Sequence, residues 1–255
     1  MLAPLVLARA ARTPAPASLR DRVVLVTGAT GGLGRATAFS AAQAGASVIL
    51  LGRKPRALER LHDEMEAQGG SAPALYPLDL GGATPRDYED LADTIEREFG
   101  RLDGIAHCAA HFNTLQPFGQ IEPLEWARSQ HVNVTAPLWL TQACQPLLER
   151  AGDGAVVFVL DDPQRMARAY WGAYGVAKQA LLGLVSIMHE ETESSHLRVQ
   201  SLLPMPMRTA LRRAAYYGED TAQLPGPDEA AQALVWLLGA AGAVARGRLL
   251  DLRPQ

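Results

Sequence analysis

The sequence predicts a single α/β domain: a doubly wound parallel sheet of about seven strands with helices on both faces. Three observations carry this. Short apolar runs alternate with longer amphipathic stretches along the chain. The runs are almost continuously apolar, as in Val23-Val24-Leu25-Val26, which suits strands covered on both sides. A glycine-rich turn joins the first run directly to the first amphipathic stretch.

The strand runs lie at residues 23–26, 47–51, 74–77, 104–107, 155–160, 199–203 and 248–252. The helical windows between them span 33–44, 56–68, 85–99, 137–150, 175–193 and 228–238. Residues 1–19 read as a disordered lead-in: residues 2–8 are apolar but no basic segment precedes them, and a Pro-Ala-Pro run follows Thr13. Residues 20–255 read as one domain.

Composition narrows the partners. The 255 residues are 48% hydrophobic and 20% charged, ordinary for a globular chain. A formal net charge of −3 gives no electrostatic case for nucleic acid or an anionic membrane. No apolar stretch approaches the roughly 20 residues needed to span a bilayer. Cys108 and Cys144 are too few for a disulfide framework, so a reducing cytoplasm is expected. His62, His189 and His196 are isolated, and no metal site is expected.

The strongest local signal is Thr27-Gly28-Ala29-Thr30-Gly31-Gly32-Leu33-Gly34. A buried strand ends at Thr27, and the glycines turn the chain without side chains. A helix then opens near Gly32, whose free N–H groups and positive dipole end suit a pyrophosphate. The second strand ends at Leu51-Gly52-Arg53. An acidic residue there would accept the ribose 2′-hydroxyl of NAD, whereas Arg53 suits the 2′-phosphate of NADP. NADP(H) is therefore expected as the preferred cofactor, with NAD(H) as the alternative.

Tyr174 and Lys178 lie four residues apart at the start of a predicted helix and share one face. An ammonium there is expected to lower the phenol's pKa toward use as an acid or base. Lys54 and Lys178 are the only lysines among 24 basic residues, so this lysine is not a casual surface choice.

The glycine loop followed by Tyr-x-x-x-Lys resembles the short-chain dehydrogenase/reductase family over nearly the whole chain after about Leu19. The run from Tyr170 to Lys178, with Leu102-Asp103-Gly104 upstream, resembles its YciK-type oxidoreductase branch. The resemblance implies a Rossmann-type fold and hydride transfer between a nicotinamide and a carbonyl or alcohol substrate. It implies that Asp79 and Leu80 lie at the adenine and that Asn133 holds a proton-relay water. It makes Tyr174 the general acid/base and places Lys178 on the nicotinamide ribose. Ala109, Pro204 and Thr209 would line the cofactor, and the substrate cleft would lie near 110–126, 161–174 and 204–224. A homo-oligomer through helices 135–150 and 175–193 is implied as well.

The pattern breaks in three places. Ala110 stands where the family has glycine after the fourth predicted strand, and Met205 where it has glycine after the proline. The family's serine, thirteen residues before the tyrosine, is Asp161 here. No serine lies between His131 and Ala173 to replace it. A serine hydroxyl donates to the substrate oxygen as charge grows there, whereas an ionised aspartate only accepts. It would also push the Tyr174 phenol upward. Asp161 suits either an unusual substrate, such as one bearing a cationic group, or an NADP-binding relative with impaired catalysis that acts as a binding or regulatory partner.

Overall fold

The structure, a computed structural model, describes residues 2–69 and 72–253. Met1 of the expected lead-in and the last two residues of the expected domain lie outside them.

In chain order the elements are β1 (Ala3–Leu5), β2 (Val23–Thr27), α1 (Gly32–Gln43), β3 (Ser47–Gly52), α2 (Pro55–Glu66), β4 (Ala74–Pro77), α3 (Pro85–Phe99) and β5 (Gly104–His107). There follow α4 (Pro123–Gln130), a π-turn at His131–Thr135, α5 (Ala136–Arg150), β6 (Gly154–Val159), α6 (Pro163–Met166), α7 (Gly172–Thr192), β7 (Leu197–Leu203), α8 (Ala210–Ala215), α9 (Asp228–Leu238) and β8 (Arg248–Asp251). The strands form one parallel sheet in the order β1-β8-β7-β6-β5-β2-β3-β4. The winding reverses between β2 and β5, and a crevice opens beyond the carboxyl ends of strands at such a reversal.

The continuous apolar runs behave as expected. All five residues of β2 and all seven of β7 are buried. Two cores result, one on each face. One holds Val24, Val26, Leu50 and Ala106 against α1, α2 and α9; the other holds Leu25, Ile49, Ile105 and Phe158 against α3, α5 and α7. Alternate residues of β2 thus feed opposite cores, as the strand's period of two requires.

The lead-in departs from the expected disorder. Ala3–Leu5 adds an eighth strand, pairing parallel to β8 with Ala3 opposite Arg248 and Leu5 opposite Leu250. Pro4 is tolerable there because β1 is an edge strand. Arg12 is buried and meets Glu229 of α9 at 2.5 Å, which fastens the segment to the domain. Three residues are too few to show a period, so the sequence hides this strand.

At the opposite ends of the strands from the crevice, Asp153 joins two arginines. Arg198 donates from Nε to Asp153 Oδ1 at 2.7 Å and from Nη1 to the Leu237 carbonyl at 3.0 Å. Arg22 bonds the other carboxylate oxygen of Asp153 and donates to the Leu238 carbonyl at 3.0 Å. The last carbonyls of α9 are thereby satisfied by side chains.

Burial raises the Asp153 carboxyl and the two guanidinium partners lower it by more, so it sits below the usual carboxylate range. This contribution to stability is complete above the unfolded-state pKa and is lost as pH falls through the lower folded value. Asp153→Ala strands the Arg198 charge, whose side chain is only 3% exposed. The expected loss is about 3 kcal/mol, read as a lower urea midpoint at pH 7 and a smaller difference from wild type in acid.

Candidate active site

The crevice at the winding reversal is a cleft of about 500 Å³. One end is built from backbone. Gly28 follows β2 with φ +62°, and a methyl group on it would lie 2.8 Å from the Ala109 Cα. A methyl on Gly34 would lie 2.2 Å from the Gly28 carbonyl oxygen. The turn therefore closes on itself and on the β5 loop only because these side chains are absent.

Gly31 caps α1, whose first turn carries no acidic residue and no side-chain cap. Its opening N–H groups are left for an external anion. Thr30, Gly31, Gly32, Leu33, Gly34 and Arg53 line this part of the cleft, with Arg53 exposed on its rim. Asp79 and Leu80 line the wall after β4, and the Asp79 carboxylate accepts from the Gly81 amide at 3.0 Å. The shape and donor set fit a dinucleotide: a side-chain-free cradle at a helix N-terminus, with a cation at one side.

Thr27 lies beneath the cleft rather than in its lining. It is buried, and its hydroxyl accepts from the Ala109 amide at 3.1 Å, tying β2 to the β5 loop. Asn133 is likewise beneath. Its side chain accepts from the His111 amide at 2.9 Å and donates to the His111 and Ser129 carbonyls at 2.8 and 2.9 Å. That side chain clamps the loop after β5 to the π-turn.

The departures at Ala110 and Met205 leave the cleft open. Ala110 is exposed and Met205 half-buried, and both line the walls with Pro204 and Thr209. Of the expected substrate-side residues, His111, Phe112, Arg165 and Trp171 line the main cleft. Phe118, Trp126, Arg168 and Tyr170 face a separate cavity instead. In α8 and its flanks, Thr209, Leu211, Arg212 and Tyr216 close one side.

Tyr174 and Lys178 both reach the cleft from the first turns of α7, and both are buried. Lys178 donates from Nζ to the Val159 carbonyl at 2.9 Å, with the ammonium 5.7 Å from the Tyr174 ring centre. Burial lowers Lys178 to about 8. Tyr174 packs edge-on to Phe112 with ring centres 5.3 Å apart.

Burial and Asp161, rather than Lys178, dominate the surroundings of the Tyr174 phenol. Burial raises Tyr174 well above its ordinary value, and the adjacent Asp161 raises it further. The phenol donates to Asp161 Oδ2 at 3.1 Å. Asp161 Oδ1 accepts from the Asp162 amide at 2.8 Å and pairs with the Arg165 guanidinium.

The position of Arg165 follows from local sequence. Asp162 caps α6, its carboxylate accepting from Gln164 at 2.9 Å, and Pro163 fits the first helical position. Gly175 admits this turn against α7, since a methyl there would lie 2.5 Å from the Met166 carbonyl oxygen. Arg165 lies within the expected cleft segment 161–174, and its pairing with Asp161 was not expected. The four-residue spacing from Asp161, across a proline that opens a helical turn, is the signal that was available.

Comparison with known proteins agrees with this architecture. Residues 22–220 match the family model for short chain dehydrogenases. The oxidoreductase YciK of Escherichia coli (strain K12) is 36% identical over 236 residues, covering 92% of this chain and 93% of that one. A solved short chain dehydrogenase from Pseudomonas syringae is 37% identical with a TM-score of 0.90, over 94% of this chain and 97% of that one. Another from Escherichia coli CFT073, solved with NADPH, is 36% identical with a TM-score of 0.90, over 94% of this chain and 100% of that one.

The phenol's surroundings give a direct test. In the ultraviolet difference titration of wild type against Tyr174→Phe, no tyrosinate is expected from this residue at its ordinary value of 10.0. Asp161→Asn is expected to move its ionisation to lower pH.

Proposed function

The chain belongs to the short-chain dehydrogenase/reductase family, and on that premise we propose that it is an NADP(H)-dependent oxidoreductase acting on a carbonyl/alcohol substrate, with Tyr174 passing the proton. The single observation that carries this is the convergence of the glycine cradle, Tyr174 and Lys178 on one cleft. Arg53 on the rim and the NADPH held by the solved Escherichia coli relative favour NADP over NAD.

The cofactor would supply a hydride at its nicotinamide carbon. The first turn of α1 binds the pyrophosphate, Arg53 the 2′-phosphate, and Asp79 and Leu80 the adenine side. Ala109, Pro204 and Thr209 flank the nicotinamide half, and Lys178 orients its ribose.

Tyr174 keeps its proton at neutral pH because a buried phenolate beside a carboxylate is costly. In the direction of carbonyl reduction Tyr174 gives its proton to the substrate oxygen, and in the reverse direction it takes one back. Asp161 holds the phenol in place beforehand, at the position where the family has serine. Lys178 and Arg165 offset the charge left on the tyrosine oxygen.

No helix of the described residues is long and apolar enough to cross a membrane, and Cys108 and Cys144 are free thiols, which fits a reducing cytoplasmic setting. Val176 and Ile187 remain exposed on α7, and a second copy in a homo-oligomer would cover them. The impaired-relative reading draws no support from the matched relatives, which carry the names of dehydrogenases and oxidoreductases.

NADPH fluorescence titration, followed by NADPH oxidation against a carbonyl panel, tests the proposal. Tyr174→Phe is expected to lower kcat by at least ~100-fold while leaving NADPH affinity within about threefold. Arg53→Ala is expected to weaken NADPH by at least ~10-fold and NADH hardly at all, since a charge-assisted phosphate contact contributes about 1.5 kcal/mol or more. NADPH binding without turnover of any carbonyl would return the impaired-relative reading to the front.

A further inference from the structure

The substrate end of the cleft carries more cationic than anionic side chains. Arg165, Lys178 and Arg212 line it, against Asp161 in the lining and Glu219 just behind. Arg212 is spent: it grips Glu219 through two bonds of 2.6 Å and lies 3.6 Å above the Tyr216 ring. His111 and Glu125 are likewise paired with each other, at 2.9 Å. Lys178 is turned toward the Val159 carbonyl.

Arg165 is different. A guanidinium has five N–H donors in a planar fork. Through Nη2 Arg165 bonds Asp161, its Nε is buried without an acceptor, and Nη1 has no acceptor among the described residues. Its side chain remains 32% exposed to the cleft, 5.8 Å from the Trp171 ring centre. The carboxylate that holds it also accepts the Tyr174 hydroxyl at 3.1 Å. Nε is enclosed, so Nη1 is the unfilled donor that stands open beside the acid that meets the substrate oxygen.

From this we infer that Arg165 determines specificity by receiving a carboxylate of the substrate, and that Asp161 is the positioning residue that aims it. The inference rests on the proposed oxidoreductase reading and names its substrate class: a carbonyl compound bearing a carboxylate near the reacting carbon. It also answers the replacement at Asp161. The cation that this carboxylate suits is already in the protein, so the pair is neutral and a cationic substrate group has no free carboxylate oxygen to meet. A planar carboxylate matches the guanidinium fork, and a neutral amide of the same shape brings only one acceptor and no charge. Phe112, Trp171 and Tyr216 supply apolar ring surface around the rest of the ligand.

The test is calorimetric titration of the full chain with benzoate and with benzamide, each with and without saturating NADP+. Benzoate is expected to bind at least ~10-fold more tightly than benzamide. Arg165→Met should erase that preference, and Arg165→Lys should retain part of it. The double variant Asp161→Asn with Arg165→Met leaves neither charge unpaired and should also show none, which guards against a misfolded single variant. Arg35→Met, on the surface beside Glu64, should keep the preference. Equal binding of the two probes, binding of neither, or a preference that survives Arg165→Met overturns the inference. Failure to load NADP+ bears instead on the proposed function, because the carboxylate preference is read on the unloaded chain as well.

Discussion

The glycine turn after β2 works because backbone meets backbone with nothing between. The Gly28 carbonyl lies where a Gly34 side chain would be, and the β5 loop lies where a Gly28 side chain would be. Thr27 adds the hydrogen bond that fixes that loop. Any methyl group here separates β2, α1 and the β5 loop, and those three elements bound the cleft. The sheet order places this contact at the winding reversal, so the helix N-terminus, the loop after β5 and the first turn of α7 all open on one crevice. Anchored strands and free loop ends are what allow such a scaffold to carry chemistry at that edge.

The chemistry at the other end of the cleft is a matter of charge balance in a dry place. Asp161 on its own would be a poor exchange for a hydroxyl donor, since it accepts and repels growing negative charge. Paired with Arg165 it is a different object: a neutral couple with one cation facing the cleft and one acceptor holding the phenol. The phenol's high pKa follows from burial first and from that acceptor second.

Much of this was legible in the chain. Seven of the strands follow from apolar runs, because a parallel sheet buries both faces and leaves a nearly unbroken signal. The cleft residues of the glycine loop, Arg53, Tyr174 and Lys178 were placed by type and spacing. Other features left no such trace. Ala3–Leu5 becomes a strand only because β8, more than two hundred residues later, presents an edge to it. Asn133 turned out to clamp the His111 backbone through contacts that no local pattern announces.

The sequence by itself determined the alternation of strand and helix, the side-chain-free turn and the identities of the groups that reach the cleft, since periodicity and residue chemistry are local properties. Tertiary structure alone decided what those groups are to one another. Whether Tyr174 is acidified by Lys178 or held protonated by Asp161, and whether Asp161 is a bare charge or half of a pair, depends on distances between segments and on exclusion of water. Those quantities exist only once α6, α7 and β6 have packed together.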